Sequence, residues 1–249
     1  MKLHTVEVVG RQRYGDHVHV RCRWPGEPPE PGQFVMVRAA GHGFDPFLSR
    51  PFFAHDYEDG VLELLIVVQG RGTALLADDT SGLLISDPVG QGFRITGGGP
   101  VALIGGGVWV SPLRLLARAL RSREIPHDIY LETPMGFSSV YREFLEERFP
   151  EAVLVDTGAG SGAAAEFVER VGDLSLYEDV YVSGTQETLA AAKSASAGVV
   201  GAQLAVRERM ACANGSCYGC AVPVWRAGER AYVRACVEGP VFEAAELAW

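Results

Sequence analysis

The sequence predicts three successive parts: a small antiparallel β barrel, a doubly wound parallel-sheet α/β domain, and a small C-terminal domain organised by cysteines. Up to about residue 95, short apolar or alternating runs are separated by Gly/Pro clusters, as in short antiparallel strands. From residue 100 onward, apolar strands alternate with helical stretches, which is typical of a parallel sheet. After about residue 203 this periodicity fades and cysteines become frequent. The expected domain boundaries are 1–96, 97–203 and 204–249.

The composition excludes several classes of partner. With 249 residues, 47% of them hydrophobic, the chain can bury substantial cores. Its net charge of −9 argues against a nucleic-acid face or an anionic membrane surface, because both require clustered Lys and Arg. The sequence has no apolar run of membrane-span length, and its N-terminus lacks a run of signal-peptide length. We therefore expect a cytoplasmic protein without nucleic-acid or membrane partners.

One predicted barrel strand, residues 17–22, carries histidines and a cysteine. Cys22 follows the alternation of that strand and is expected to be buried in the barrel. His17 and His19 share a strand face and have the spacing of a metal-binding pair. A solvated strand face is the more common explanation of such a pair.

The predicted α/β domain contains a well-marked first helix. Ser111 is the expected N-cap and Pro112 the first helical residue, followed by leucines at i, i+3 and i+7 on one face. The expected strands around it are residues 101–104, 129–131, 153–155 and 180–182.

The cysteine pattern of the C-terminal segment is the most specific signal. Four cysteines occur as C-x4-C-x2-C followed, after fifteen residues, by a fourth, which is the spacing of plant-type [2Fe-2S] proteins. The predicted metal ligands are Cys212, Cys217, Cys220 and Cys236. A disulfide framework suits an exported chain better, and structural zinc sites usually pair two C-x2-C motifs.

A [2Fe-2S] cluster transfers one electron at a time. Because the predicted cluster follows a barrel and an α/β domain in the chain, we expect these domains to bind a flavin, which can divide an electron pair into single electrons. The segment 49–53, Ser-Arg-Pro-Phe-Phe, offers an arginine for phosphate and an extended backbone for the flavin ring edge. The segment 70–73, Gly-Arg-Gly-Thr, precedes a helical run, so its amides and hydroxyl can meet a pyrophosphate. The alternatives are a surface salt bridge for Arg50 and an ordinary turn for the glycines.

The order of these motifs resembles the electron-transfer subunit of class 1B dihydroorotate dehydrogenase, a ferredoxin-reductase-like flavoprotein. The most specific parts are residues 212–220, called the cysteine loop below, and the C-x-x-G-P-V-F tail at residues 236–242. The resemblance implies an FAD-binding barrel, a nicotinamide-binding domain and a [2Fe-2S] domain in a heteromeric complex of pyrimidine biosynthesis. It also implies a partner subunit that carries FMN and oxidises dihydroorotate, so the chain itself has no predicted catalytic side chain. Electrons would pass through the cluster to FAD and then to NAD.

The resemblance also assigns the FAD contacts. Phe53 stands where the family has a serine, so we expect Phe53 to pack against the flavin without a hydroxyl contact. Residues 87–93 match the turn that closes the barrel. The predicted FAD-binding residues are Arg50, Pro51, Phe52, Phe53, Leu65, Ile66, Val67, Gly72 and Thr73.

The nicotinamide side departs from the family pattern at three positions. In the loop 105–112, GGGVWVSP, Trp109 replaces a glycine that would let a dinucleotide approach. Thr157 replaces the second carboxylate of an Asp-Asp-Gly-Ser motif, and Ser183 replaces a cysteine that the family sets near the nicotinamide. Each change removes space or a polar partner, so NAD binding is doubtful and its loss is favoured.

Two functions remain open at this point. The first is an NAD-linked reductase half of dihydroorotate dehydrogenase, and the second is a relay whose flavin passes electrons to another acceptor. The reductase component of another flavoprotein redox system fits the domains but fits the C-terminal tail less well. Tyr218 and Trp249 could pack near a cofactor, although plain packing is the simpler reading. The surface near Cys217 and Cys220 is the predicted partner interface.

Overall fold

The computed structural model describes residues 2–41, 43, 45–78, 82–136, 138–158, 160 and 162–249. Its strands are β1 (Leu3–Val6), β2 (Val8–Tyr14), β3 (His17–Arg23), β4 (Phe34–Ala39), β5 (Arg50–Glu58), β6 (Val61–Val67), β7 (Leu83–Ser86), β8 (Val101–Gly106), β9 (His127–Pro134), β10 (Val153–Thr157), β11 (Asp179–Ser183), β12 (Gly201–Ala205), β13 (Ala221–Arg226), β14 (Glu229–Arg234) and β15 (Val241–Glu243). Its α helices are α1 (Arg71–Asp78), α2 (Ser111–Ser122), α3 (Ser139–Arg148), α4 (Ala163–Val171) and α5 (Gln186–Ala195).

The N-terminal strands form the predicted antiparallel barrel. Within the described residues, seven strands pair in the order β1-β7-β4-β5-β6-β3-β2. Strands β1 and β2 lie at opposite ends of this order yet follow one another in the chain, so the sheet must curl until its ends meet. The N–H of Arg23 donates to the carbonyl of Glu7, which lies between those two strands, at 2.9 Å. Cys22 is fully buried in the barrel core, and that prediction is confirmed.

The second domain is the predicted doubly wound sheet. The described strands pair in the order β10-β9-β8-β11-β12-β15, all parallel except β15. Side chains of β8 alternate between two cores, as the two-residue period of a strand requires. Val101 and Leu103 pack with α2 and α3, whereas Ala102 and Ile104 pack with α4 and α5. Helices therefore cover both faces of the sheet.

The start of α2 differs from the prediction. A 3-10 turn, Gly107–Val110, leads directly into the helix, so Val110 is the N-cap and Ser111 is already helical. The expected N-cap role of Ser111 is therefore wrong. Its hydroxyl instead donates to the carbonyl of Phe53 at 3.3 Å, and its carbonyl lies 3.2 Å from Nδ1 of His55. Ser111 thus joins α2 to strand β5 of the barrel.

The outer face of β3 is covered by helix α3. His17 is 9% exposed and stacks on Tyr141 with ring centroids 3.8 Å apart. His19 is 7% exposed, and its Nε2 lies 2.9 Å from a carboxylate oxygen of Glu63. The expectation of a solvated face is therefore wrong, because the second domain covers the face of the strand that the barrel core leaves free.

A buried charge network joins the two domains beside these histidines. Asp56 is 3% exposed and accepts hydrogen bonds from Arg114 at 3.2 Å, Arg118 at 2.7 Å and Arg148 at 3.3 Å. Arg148 also pairs with Glu63. Because Asp56 and Glu63 belong to the barrel and the arginines to α2 and α3, the network fixes the orientation of one domain against the other.

The C-terminal segment contacts both domains. Strands β13 and β14 form a hairpin, and β15 then pairs antiparallel with β12 of the large sheet. The N–H of Gln91 in the barrel-closing turn donates to the carbonyl of Gly239 at 2.5 Å. The motif at residues 236–242 therefore ties the cysteine loop to the barrel and to the sheet. None of the helices in the described ranges combines the length and the apolar character that crossing a membrane requires.

Candidate functional site

A cavity of about 800 Å³ lies where the barrel, the α/β domain and the C-terminal segment meet. This volume is within the ~300–1,000 Å³ typical of ligand pockets. Ile66 does not line it, because it alternates with its neighbours and is fully buried in the barrel core. Seven of the nine predicted FAD-binding residues do line it: Arg50, Pro51, Phe52, Phe53, Leu65, Val67 and Thr73.

Gly72, the remaining predicted contact, lies directly under the guanidinium of Arg50. A Cβ at Gly72 would stand 2.1 Å from Nη2 of Arg50, so only glycine leaves room for that side chain. Arg50 is held from the other side, since its Nη1 donates to the carbonyl of Leu48. The first amides of a helix have no intrahelical acceptor and carry partial positive charge. Arg50 over the first turn of α1 therefore makes a cationic cradle that suits a phosphate.

The hydroxyl of Thr73 is used within its own loop. It accepts from the N–H groups of Gln69 and Gly70, at 2.9 and 3.1 Å, and donates to the carbonyl of Gly70 at 3.0 Å. Thr73 therefore shapes the turn that begins α1, and the groups this turn leaves for a ligand are its amides.

The inner wall of the cavity is apolar. Phe34 on β4 stands opposite Phe53 on β5, and Leu65 and Val67 on β6 both point towards the cavity because they are two residues apart. Phe53 is partly buried and is one of the residues that line the cavity. A flat aromatic ligand fits this wall, and Phe53 offers it packing without a hydrogen bond.

The four C-terminal thiols form two pairs. Cys212 and Cys217 hydrogen-bond through their side chains, as do Cys220 and Cys236. Hydrogen bonds from the backbone of Asn214, and further ones around Cys217 and Ser216, lower the pKa of Cys212 to about 6. Burial raises the pKa of Cys236 to about 11.

This arrangement fits a two-iron centre. Two thiol pairs match a cluster in which each iron takes two thiolates, and N–H groups directed at sulfur are a known feature of such clusters. The paired thiols and the N–H of Gly219 directed at Sγ of Cys217 therefore fit a [2Fe-2S] cluster.

Arg234 holds the cysteine loop in shape, although the sequence does not single it out. Its Nη1 donates to the carbonyl of Gly215 at 3.3 Å, and its guanidinium pairs with Glu238. Gly215 has φ +84°, and a Cβ there would lie 2.9 Å from Nη1 of Arg234. Tyr218 is 56% exposed and packs against the same guanidinium at 5.1 Å, which agrees with plain packing.

The cysteine loop borders the large cavity. Gly219, Arg209 and Met210 line the cavity, and the N–H of Gly219 donates to Sγ of Cys217 at 3.4 Å. Cys217 is exposed as predicted. Cys220 is only 2% exposed, because it packs in the core under the β13–β14 hairpin, so the predicted exposed surface includes Cys217 but not Cys220.

A second, smaller cleft of about 260 Å³ lies at the carboxyl edge of the parallel sheet. Trp109 lines both this cleft and the large cavity, and the guanidinium carbon of Arg207 lies 4.0 Å from the centre of an indole ring. Trp249 lines the small cleft as well. Ser183 is 2% exposed, and so its hydroxyl is not presented to the cleft.

Glu132 is a buried acid of this region that the sequence did not reveal. It is 5% exposed at the end of β9, and Thr157 donates to its Oε1 at 3.0 Å. Burial raises the pKa of the Glu132 carboxyl. The register of β8 on β9 sets Glu132 beside Gly106, and this pairing follows from the fold rather than from a local motif.

Comparisons with known proteins agree with this geometry. The model of the iron-sulfur cluster binding domain of dihydroorotate dehydrogenase B matches residues 207–248. A protein of Caldanaerobacter subterraneus subsp. tengcongensis, named dihydroorotate dehydrogenase B (NAD(+)), electron transfer subunit, is 34% identical over 96% of both chains. The protein of that name from Bacillus caldolyticus is 33% identical over 89% of this chain and 88% of its own.

Among solved structures, an NADH-dependent reduced ferredoxin-NADP oxidoreductase superposes with a TM-score of 0.77 at 24% identity. The superposition covers 99% of this chain and 90% of the other. At this identity the likeness concerns the fold, and it supports the arrangement of an antiparallel barrel followed by a parallel α/β sheet.

Proposed function

The chain belongs to the family of electron transfer subunits of dihydroorotate dehydrogenase B, and from this membership we propose that it relays electrons in pyrimidine biosynthesis. It binds FAD and a [2Fe-2S] cluster as a subunit of a flavin and iron-sulfur oxidoreductase. Its partner is the catalytic subunit, which carries FMN and oxidises dihydroorotate. The complex is a cytoplasmic hetero-oligomer.

One observation carries this proposal: the cysteine loop lines the same cavity as the predicted FAD contacts. When bound, the cluster transfers single electrons and the FAD exchanges electron pairs. Residues of this chain then have to hold both cofactors close together and keep water out. No proton-transferring side chain is needed in this chain, because dihydroorotate is oxidised on the partner.

The roles of individual residues follow from their positions. Arg50 and the first turn of α1, with Gly72, bind the FAD phosphates. Pro51, Phe52, Phe53, Leu65 and Val67 form the wall for the flavin and its linker, and Ile66 supports that wall from the barrel core. The four cysteines bind the cluster. These roles divide the chain at the proposed boundaries 1–96, 97–203 and 204–249.

The partner docks at the exposed side of the cysteine loop. Cys217 reaches the surface there, so this side brings the cluster nearest to a cofactor on another subunit. Gly219 of the same loop lines the flavin cavity. The loop would therefore hold the cluster close both to the flavin cavity of this chain and to the docked partner.

The experiment is an anaerobic purification with the catalytic subunit, followed by flavin, iron and sulfide analysis and electron paramagnetic resonance. We expect FAD with equal amounts of iron and sulfide, and co-elution of the two subunits. Cys217→Ala should lose the iron and keep the FAD, whereas Cys22→Ala, which alters a cysteine of the barrel core, should keep both. Zinc in place of iron, or iron retained in Cys217→Ala, would contradict the proposal.

A further inference from the structure

The cleft beside Trp109 is where a nicotinamide dinucleotide would have to enter, since ligands of open α/β sheets bind outside the carboxyl ends of the strands. We infer that Trp109, held by Arg207, closes this cleft to nicotinamide dinucleotides. This inference rests on the proposed function, because it assumes that FAD occupies the large cavity.

The cleft is too small for a dinucleotide. The cleft measures about 260 Å³, below the ~300–1,000 Å³ of pockets that hold drug-sized ligands, and a dinucleotide is larger than most of these. The large cavity of about 800 Å³ is assigned to FAD. Trp109 lines both, so its indole stands between the proposed flavin site and the cleft. A nicotinamide could reach the flavin from this side only by displacing that indole.

The indole of Trp109 is also held in place. Trp109 belongs to a 3-10 turn, and the next residue, Val110, is fully buried and fixes the backbone there. The guanidinium of Arg207 lies over the indole at 4.0 Å, well within the ~6 Å range of a cation–π contact. Arg207 also lines the cleft, so a ligand that displaces the indole must break this contact too.

Two glycines that precede Trp109 are packed against side chains of this chain. In a dinucleotide site, glycines leave space for the ligand to approach the backbone. Here a Cβ at Gly105 would meet Leu113 at 2.8 Å and Leu131 at 3.0 Å. At Gly106 it would meet Oε2 of Glu132 at 3.0 Å. The Cβ side of each glycine is therefore already occupied by side chains of this chain, and neither glycine offers open space there to a ligand.

The test uses the holoprotein with FAD and cluster, as the wild type and as Trp109→Gly. Trp225→Gly is the matched control, because Trp225 is an exposed tryptophan on the β13–β14 hairpin. Two readouts are taken without oxygen: flavin bleaching after mixing with NADH, and NADH binding by calorimetry. Dithionite is added to each sample afterwards, to show that flavin and cluster can be reduced.

We expect the wild type and Trp225→Gly to remain oxidised with NADH and to bind it weakly or not at all. Trp109→Gly should bind NADH about ten- to a hundredfold more tightly and bleach, as expected when bulk is removed from an overfilled site. Rapid bleaching of the wild type by NADH would overturn the inference. If Trp109→Gly also stays oxidised with NADH and binds it no more tightly than the wild type, Trp109 does not close the cleft. A sample without flavin absorbance would instead count against the proposed function.

Discussion

Gly72→Ala tests the phosphate cradle because its expected effects on FAD affinity and on stability have opposite signs. The new Cβ would lie 2.1 Å from Nη2 and 2.2 Å from the central carbon of the Arg50 guanidinium, so Arg50 must move away from the start of α1. A hydrogen bond to a charged group is worth about 1.5–3 kcal/mol. Loss of that contact with an FAD phosphate corresponds to an increase of about 10- to 140-fold in the Kd for FAD.

The same substitution should not destabilise the protein. Gly72 is the second residue of α1, and alanine is favoured over glycine in a helix by up to about 1 kcal/mol. The free energy of unfolding of the apoprotein should therefore stay the same or rise slightly in urea denaturation. A general folding defect would lower both the affinity for FAD and the free energy of unfolding. The two measurements therefore separate a binding effect from a folding effect.

Gly98→Ala is the matched control. A Cβ at Gly98 meets no atom within 4 Å, so this variant adds the same methyl group outside the phosphate cradle and without touching Arg50. Its Kd for FAD, measured by fluorescence titration of the apoprotein, should equal that of the wild type. Unchanged affinity in Gly72→Ala, or equal weakening in both variants, would refute the assignment of Arg50 and Gly72 to the FAD phosphates.

Three further predictions concern the interdomain network and the cysteine loop. Asp56→Ala leaves buried arginines without their carboxylate and should lower the free energy of unfolding by about 3–5 kcal/mol. Asp78→Ala breaks an exposed ion pair and should lower it by less than about 1 kcal/mol. Equal losses in the two variants, measured by urea denaturation, would contradict this prediction. Burial lowers the pKa of His55 to about 3, so only the unfolded chain gains a proton there as pH falls below about 6.5. Stability should therefore decrease by up to about 1.4 kcal/mol per pH unit from this group, and His55→Phe should flatten that slope; an unchanged slope would exclude His55 as its source. Arg234→Ala should lower the iron content and keep the FAD, and full iron content would show that the loop holds its shape without Arg234.

The fold was largely predictable because its signals are local. The cysteine spacing, the alternation around Cys22 and the change from short strands to alternating strands and helices are all visible within short windows. The predicted FAD contacts on β5 and β6 also come together, because strands of one barrel bring their inward residues to a common wall.

The features that escaped prediction depend on contacts distant in sequence. The sequence predicts a solvated face for His17 and His19 because only one face of β3 is needed for the barrel core. No local pattern shows that α3 covers the other face of this strand. Glu132 lies beside Gly106 only through the register of β9 on β8. Arg234 reaches Gly215 across nineteen positions of the chain. Contacts between residues so far apart in the chain cannot be predicted from a local sequence pattern.

The most direct test of the relay is reduction of this chain by dihydroorotate in the complex with the catalytic subunit. Anaerobic stopped-flow absorbance follows FAD and cluster bleaching in the wild-type complex, in the Cys217→Ala complex and in this chain alone. We expect bleaching of both cofactors in the wild-type complex and slow or absent FAD bleaching in the Cys217→Ala complex. This chain alone should not be reduced by dihydroorotate. FAD bleaching at the wild-type rate in the complex that lacks the cluster would contradict the proposed relay.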